Sequence, residues 1–412
     1  MKEFEQLLVD CIKRGAGRFD VSRLSSLSPE QWRGFLALAA KHRLVPLLAH
    51  RLRRKGVLEA VPSSAQDSLK RAIRDNALRN LGHYADLQLL LRALKPEKIP
   101  LILLKGIHLA GAVYENIGLR EMNDIDVLAR SADLERVAKI LAGMGYSPLR
   151  PVCAEVSIKT SQDLPRMIKE KHAPFEIHWN LTLPGKSHSM DPGELWERAV
   201  GVNFCGCEAL ALSNEDLLLH LCVHASYHHQ FAFGLQPYCD IAETIFRFGA
   251  SLDWRTVADR AESRGWQRGF CLALEMAEKL AGAGVPPGIL EDLRAHEAPE
   301  SIREAALGQV FTDKIFAVSL PVSMAKLVES GRLFEKFRIF WRRVFPSRAE
   351  IAAQYSVPES SARIFPCYFR RFFYLLSRYG SFLKKNRRGD ESLKALARRK
   401  NLVAGWLEQK GF

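Results

Sequence analysis

Three carboxylates and a lysine–glycine pair are the residues of this 412-residue chain whose types and spacing could do chemistry together. In "MNDIDVLA", Asp124 and Asp126 stand one residue apart within an apolar run. Strand side chains at i and i+2 share a face about 7 Å apart, so both carboxylates point one way while Ile125 and Val127 enter the core. Like charges at that distance repel by roughly 2 kcal/mol at an effective dielectric of about 20. Water tolerates such a cost, but a partly buried site calls for a counter-ion or a raised pKa. Mg²⁺ fits, because it takes one or two carboxylates together with phosphate oxygens. An isolated Asp-x-Asp more often marks a strand end with two hydrated carboxylates, so the neighbours must decide.

Those neighbours favour phosphate chemistry. "LILLKGIHLAGAVY" sets Lys105-Gly106 between an aliphatic run and a helical pattern. Free backbone N–H groups and the helix dipole attract phosphate at such a junction. Glycine allows close approach of the backbone, and Lys105 adds a cation for phosphate oxygens. Further on, "PFEIHW" alternates Phe175, Ile177 and Trp179 with Glu176 and His178. Glu176 is thereby placed to complete a triad with the two aspartates, the kind of cluster that serves two-metal phosphoryl transfer.

The elements that must position these groups follow from periodicity. Residues 1–95 read as helical, with a Ser28…Gln31 cap opening "SPEQWRGFLALAAKHRLVPLLAHRLRRKG" and a second long amphipathic stretch ending near Lys95. The period then shortens. "KIPLILLKG", "DIDVLA" and "PFEIHWNL" read as strands, separated by helices at "IHLAGAVY" and "SADLERVAKILAGMGY". From Ser213 the helical pattern returns. The expected fold is therefore α+β and mostly helical. It comprises an N-terminal helical region (1–95), a small α/β core (96–200), a helical domain covering the site (201–330) and a basic, aromatic-rich helical tail (331–412).

The 47% apolar and 26% charged content is that of a soluble globular protein. No apolar run approaches the roughly 20 residues of a transmembrane helix. "MKEFEQLLVDCIKRG" lacks the apolar region and cleavage site of a secretory signal. The eight cysteines are scattered, without a second close pair to complete a zinc pattern, which points to reduced thiols and a cytoplasmic location. Of the formal charge of +14, residues 331–412 carry +13, with 19 Lys or Arg against 6 Asp or Glu. An acidic partner is therefore met by the tail. Its interleaved aromatics and cations suit an anionic membrane surface, giving a peripheral location, or nucleic acid. They equally suit helices that pack their aromatics inward.

The order Gly…Asp-x-Asp…Glu on a small α/β core resembles the polymerase-β-like nucleotidyltransferase superfamily. More narrowly, "LLKG…Y…LREMNDIDVL…FEIHW" resembles its branch of mostly uncharacterised bacterial nucleotidyltransferases, with "LALAAKHRLVPLL" and "FPSRAEIAAQYSVPESS" in agreement. The resemblance implies Mg²⁺- or Mn²⁺-dependent transfer of a nucleoside monophosphate from an NTP such as ATP to an acceptor. That acceptor is a small molecule, a sugar, a peptide or a protein. By position, Asp124 and Asp126 would hold the metal, Glu176 would be the third carboxylate, and Lys105 and Gly106 would form the phosphate-side turn. The alternative, from another class, is a catalytically inactive protein of this fold that binds RNA or membrane through its tail.

Further residues have two readings each. Arg120 either clamps the triphosphate or pairs with Glu121 or Asp124. Tyr114 is expected to pack rather than stack on a base. His178 shares the Glu176 face and would support the acids. His220, His224 and His228 recur every four residues as one helical stripe, which either binds a transition metal with a further ligand or lines a groove facing the nucleotide. Asp240, alone among apolar neighbours in "YCDIAETIF", either faces the cleft, as the resembling branch suggests, or packs away from it.

Overall fold

The computed structural model describes residues 1–15, 20–150, 154–183, 190–312, 320–329, 334, 338, 341, 343–355, 357, 360–387 and 390–409. Its N-terminal part is helical, as the periodicity predicts. The helix Pro29–Lys41 opens with the expected capping box, in which the Ser28 hydroxyl accepts from the Gln31 N–H and the Gln31 side chain returns to the Ser28 N–H. The long amphipathic stretch forms one helix, Ser63–Leu94.

A mixed seven-stranded sheet follows, giving the α+β, mostly helical architecture. Its strands are β1 (Ile102–Leu103), β2 (Ile125–Leu128), β3 (Ser147–Pro148), β4 (Met167–Ile168), β5 (Phe175–His178), β6 (Val200–Phe204) and β7 (Cys207–Ala211). They lie in the order β3-β4-β5-β2-β1-β7-β6. β2 runs parallel to β5 and antiparallel to β1, while β1 runs parallel to β7. The sequence reading found β1, β2 and β5, which carry the aliphatic runs. The other four escaped it: β3 and β4 are two residues long, and the alternation of Val200, Val202 and Phe204 in β6 buries only Phe204. The sheet therefore continues past the expected boundary at 200, through Ala211.

Two cores meet at this sheet. One lies between it and the helices Ser63–Leu94 and Leu134–Gly143, and includes Leu87, Leu103, Ile125, Val127, Val137, Phe175 and Ile177. The larger core joins the N-terminal helices to the helices Asn214–Val223, Gln236–Phe248 and Gln267–Ala281. Buried Glu243 fastens this junction by accepting ion pairs from Arg14 and Arg51. The last helix, Glu391–Glu408, adds Val403, Trp406 and Leu407 to the same core, so part of the expected tail belongs to the main body. No described helix is long and apolar enough to cross a membrane.

Candidate active site

The acids converge because of strand register. On the parallel pair β2–β5, Asp126 stands opposite Glu176 and Leu128 opposite His178. Side chains directly opposite on one face lie within contact range, and Glu176 and His178 share that face two residues apart. His178 Nε2 lies 3.0 Å from Asp126 Oδ1 and 3.7 Å from Glu176 Oε2. Asp126, Glu176 and His178 each offer one ligand atom within 4.8 Å of the others, the only such group of three found among the described residues. Asp124 precedes β2 at the more open mouth, with 29% of its side chain exposed against 5% for Asp126. Arg166 ties it to the cluster: its guanidinium contacts Glu176 and lies 3.8 Å from Asp124 Oδ2.

Lys105 stands where the turn was expected, one position inside the helix Lys105–Ala112. The Leu104 N–H donates to the Asp126 carbonyl at 3.1 Å, so the turn is anchored on β2. The backbone of Lys105 has φ of 30°, outside the range comfortable for a residue with a Cβ. Its side chain donates to Asp126 Oδ1 at 3.1 Å.

Electrostatics separate the three carboxyls. Burial works against the charge of Asp126, but Lys105 and His178 outweigh it and hold the group well below the usual carboxylate range. Burial and the neighbouring Asp126 and Asp124 push Glu176 up to about 7. Burial and Asp126 also raise Asp124. Two of the three acids thus resist ionisation beside the third, a condition that a divalent cation relieves. The carboxylate oxygens are donors suited to Mg²⁺ or Mn²⁺, whereas the imidazole, a ligand for softer metals, fits as the hydrogen-bond partner of Asp126 at 3.0 Å.

Behind the turn, the structure corrects the expected role of Arg120. Its guanidinium does not reach outward as a phosphate clamp, nor does it pair with Glu121 or Asp124. Nε and Nη2 each donate at 2.8 Å to Asp240, and Tyr114 donates to the same carboxylate at 2.7 Å. Arg120 and Asp240 are 9% and 3% exposed, so Asp240 packs away from the cleft and Tyr114 supports the pair. The physical reason is mutual: a buried guanidinium needs a bidentate acceptor, and a buried aspartate needs donors. Gly106 packs directly on this pair. A Cβ there would fall 2.8 Å from Arg120 Nη1 and 3.2 Å from Met122 Cβ.

The loop leading to Asp124 is held by the long helix Ser63–Leu94. Asn76 donates to the carbonyls of Gly118 and Arg120, Asn80 to those of Ile117 and Arg120, and the His83 ring lies 3.4 Å from the Met122 carbonyl. Spaced four and three residues apart, these side chains form a polar stripe on one helix face. That stripe in "RDNALRNLGHYAD" was the readable signal for the clamp, which the sequence reading missed. Arg166 was missed too, since nothing in "DLPRMIKEKH" distinguishes it.

The histidine stripe lies within electrostatic reach of this cluster. The helix Asn214–Val223 passes into a π-helical turn at His224–His228, and ring centroids step 5.9 and 5.7 Å from His220 to His224 to His228. Burial, then the cation of Lys105, holds His220 and His224 well below the ordinary imidazole value, and puts His228 at about 4. The stripe is thus neutral. His224 Nε2 lies 3.1 Å from His229 Nε2, and His224 touches none of the acids. Among the described residues, the stripe's ring nitrogens do not converge with one another, or with a carboxylate, into a group of three that could hold a transition metal.

Such an arrangement, with converging acids beside a lysine at a strand–helix turn, can hold a cation against phosphate oxygens. No curated protein and no solved structure matches the chain. A family model described as uncharacterised nucleotidyltransferase matches residues 28–282, which include every residue of the cluster and more than half of the chain. The chain belongs to this uncharacterised nucleotidyltransferase family.

Proposed function

We propose that the protein is a polymerase-β-like enzyme that transfers a nucleoside monophosphate from an NTP to an acceptor hydroxyl or similar group. The convergence of Asp124, Asp126 and Glu176 beside Lys105 carries this reading, together with the family. The three carboxylates would hold Mg²⁺ or Mn²⁺, which when bound supplies charge neutralisation on the triphosphate and polarisation of its α-phosphorus. Lys105 and the Gly106 backbone would face the phosphates and offset charge developing on the departing pyrophosphate. Arg120, fixed by Asp240, would shape that turn from behind rather than bind the nucleotide.

Glu176, whose carboxyl burial and the neighbouring acids push up, would take the acceptor's proton. The acceptor oxygen then bonds to the α-phosphorus as the bond to pyrophosphate breaks. His178 positions Asp126 through its Nε2 contact. The neutral histidine stripe and the covering helices would line the acceptor side, with a small molecule, sugar, peptide or protein as acceptor. The test supplies each α-labelled NTP with Mg²⁺, with and without cell extract. Wild type is expected to release pyrophosphate and label an acceptor, and Asp126→Asn to do neither. Equal behaviour of wild type, Asp124→Asn and Asp126→Asn would remove the enzymatic claim.

A further inference from the structure

The helix Ile364–Arg387 has two apolar faces. One packs inward: Ile364, with Cys367 and Tyr368, meets Ile351 and Ala352, while Leu375 lies against the core formed by Leu320, Met324 and Leu393. The other faces out. Phe365, Phe369, Phe373 and Leu376 are 57%, 68%, 63% and 49% exposed. Their spacing of four, four and three residues puts them in an arc of about 80° and along about 16 Å of helix. Scattered exposed apolar residues need no explanation, but a contiguous stripe of three phenylalanines and a leucine does. The same helix carries six basic residues and no acidic one, and the Arg348 guanidinium sits 5.4 Å over the Phe365 ring.

The geometry points to an anionic lipid bilayer as the surface that this stripe meets, with the helix lying in the headgroup plane. Charge complementarity selects that occupant. A second copy would bring an equally cationic helix against the first and be repelled. Single-stranded nucleic acid would use separated ring faces for stacking, whereas Leu376 prolongs the stripe without offering a ring. An apolar strip on a helix with six cations and no acid, with Arg348 over its first ring, is what an interfacial helix needs: phenylalanines enter the acyl boundary and cations meet anionic headgroups. This inference stands apart from the nucleotidyl-transfer reading and survives its failure.

The full-length protein is sedimented with large unilamellar vesicles, either of pure phosphatidylcholine or containing about one-third phosphatidylserine, at low and at high salt. Binding is expected on the anionic vesicles only and to weaken with salt. Phe369→Ser/Phe373→Ser is expected to bind about tenfold more weakly, with unchanged circular dichroism because both side chains are exposed. No binding of wild type at low salt overturns the inference. So does equal binding of the variant, which would place contact elsewhere. A concentration-dependent dimer or retained nucleic acid, lost in the variant without vesicle binding, would assign the stripe to a second copy or to RNA instead.

Discussion

Replacing Asp240 by Asn removes one charge from the buried group that supports the phosphate-side turn. In the wild type, this carboxylate accepts two guanidinium bonds at 2.8 Å and the Tyr114 hydroxyl at 2.7 Å, with 3% of the residue exposed. The substitution leaves Arg120 charged and buried without a counter-ion, a change that costs about 3–5 kcal/mol when one partner of such a pair is removed. Asparagine also sets donor against donor: with its amide oxygen kept where it serves Tyr114 and Arg120 Nε, its N–H₂ group faces Arg120 Nη2. A loss of about 4 kcal/mol is expected, read from the shift in urea midpoint followed by tryptophan fluorescence. Replacing both partners, Arg120→Met with Asp240→Leu, removes the stranded charge and is expected to recover most of that loss. A single variant within about 1 kcal/mol of wild type would refute the reasoning. A double variant no better than the single one would refute it equally.

Two further outcomes follow from the same site. Gly106→Ala would push a methyl against Arg120 Nη1, in the guanidinium that Asp240 holds in place, and against Met122, costing about 1–3 kcal/mol by thermal or urea unfolding. In metal-free protein, Glu176, at about 7 when folded and near 4.5 when unfolded, retains a proton that the unfolded chain has lost. Stability should therefore fall as pH rises between those values, by about 1 kcal/mol per unit, and Glu176→Gln or added Mn²⁺ should flatten that slope.

The parts of this molecule legible in its sequence are those whose cause is local. The strand at "DIDVL" follows from its β-branched apolar run, the cap at Ser28 from Gln31 three residues on, and the shared face of Glu176 and His178 from a period of two. Alternation puts Asp126 and Glu176 each on the polar face of its strand, but that they stand directly opposite was beyond local reading, since register between strands some fifty residues apart is set by the packing of both faces. The partner of Arg120 lay beyond local inference. Its nearest acids in sequence are Glu121 and Asp124, yet the fold brings Asp240 from another layer, and burial makes that bidentate partner win. The outward stripe Phe365–Phe369–Phe373 was visible as spacing, but which of two apolar faces packs inward was not.

The large core has a consequence for how the chain is made. Its first helix, Glu3–Ile12, buries Leu7, Leu8 and Ile12 in the same cluster as Leu272 and Ala277, and the Arg14 N–H closes on the Ala281 carbonyl at 2.9 Å. On a ribosome those partners emerge on the order of tens of seconds later. Until then the nascent helix presents leucines with nothing to receive them, so this protein is expected to lean on holding chaperones during synthesis and to refold slowly from dilute denaturant.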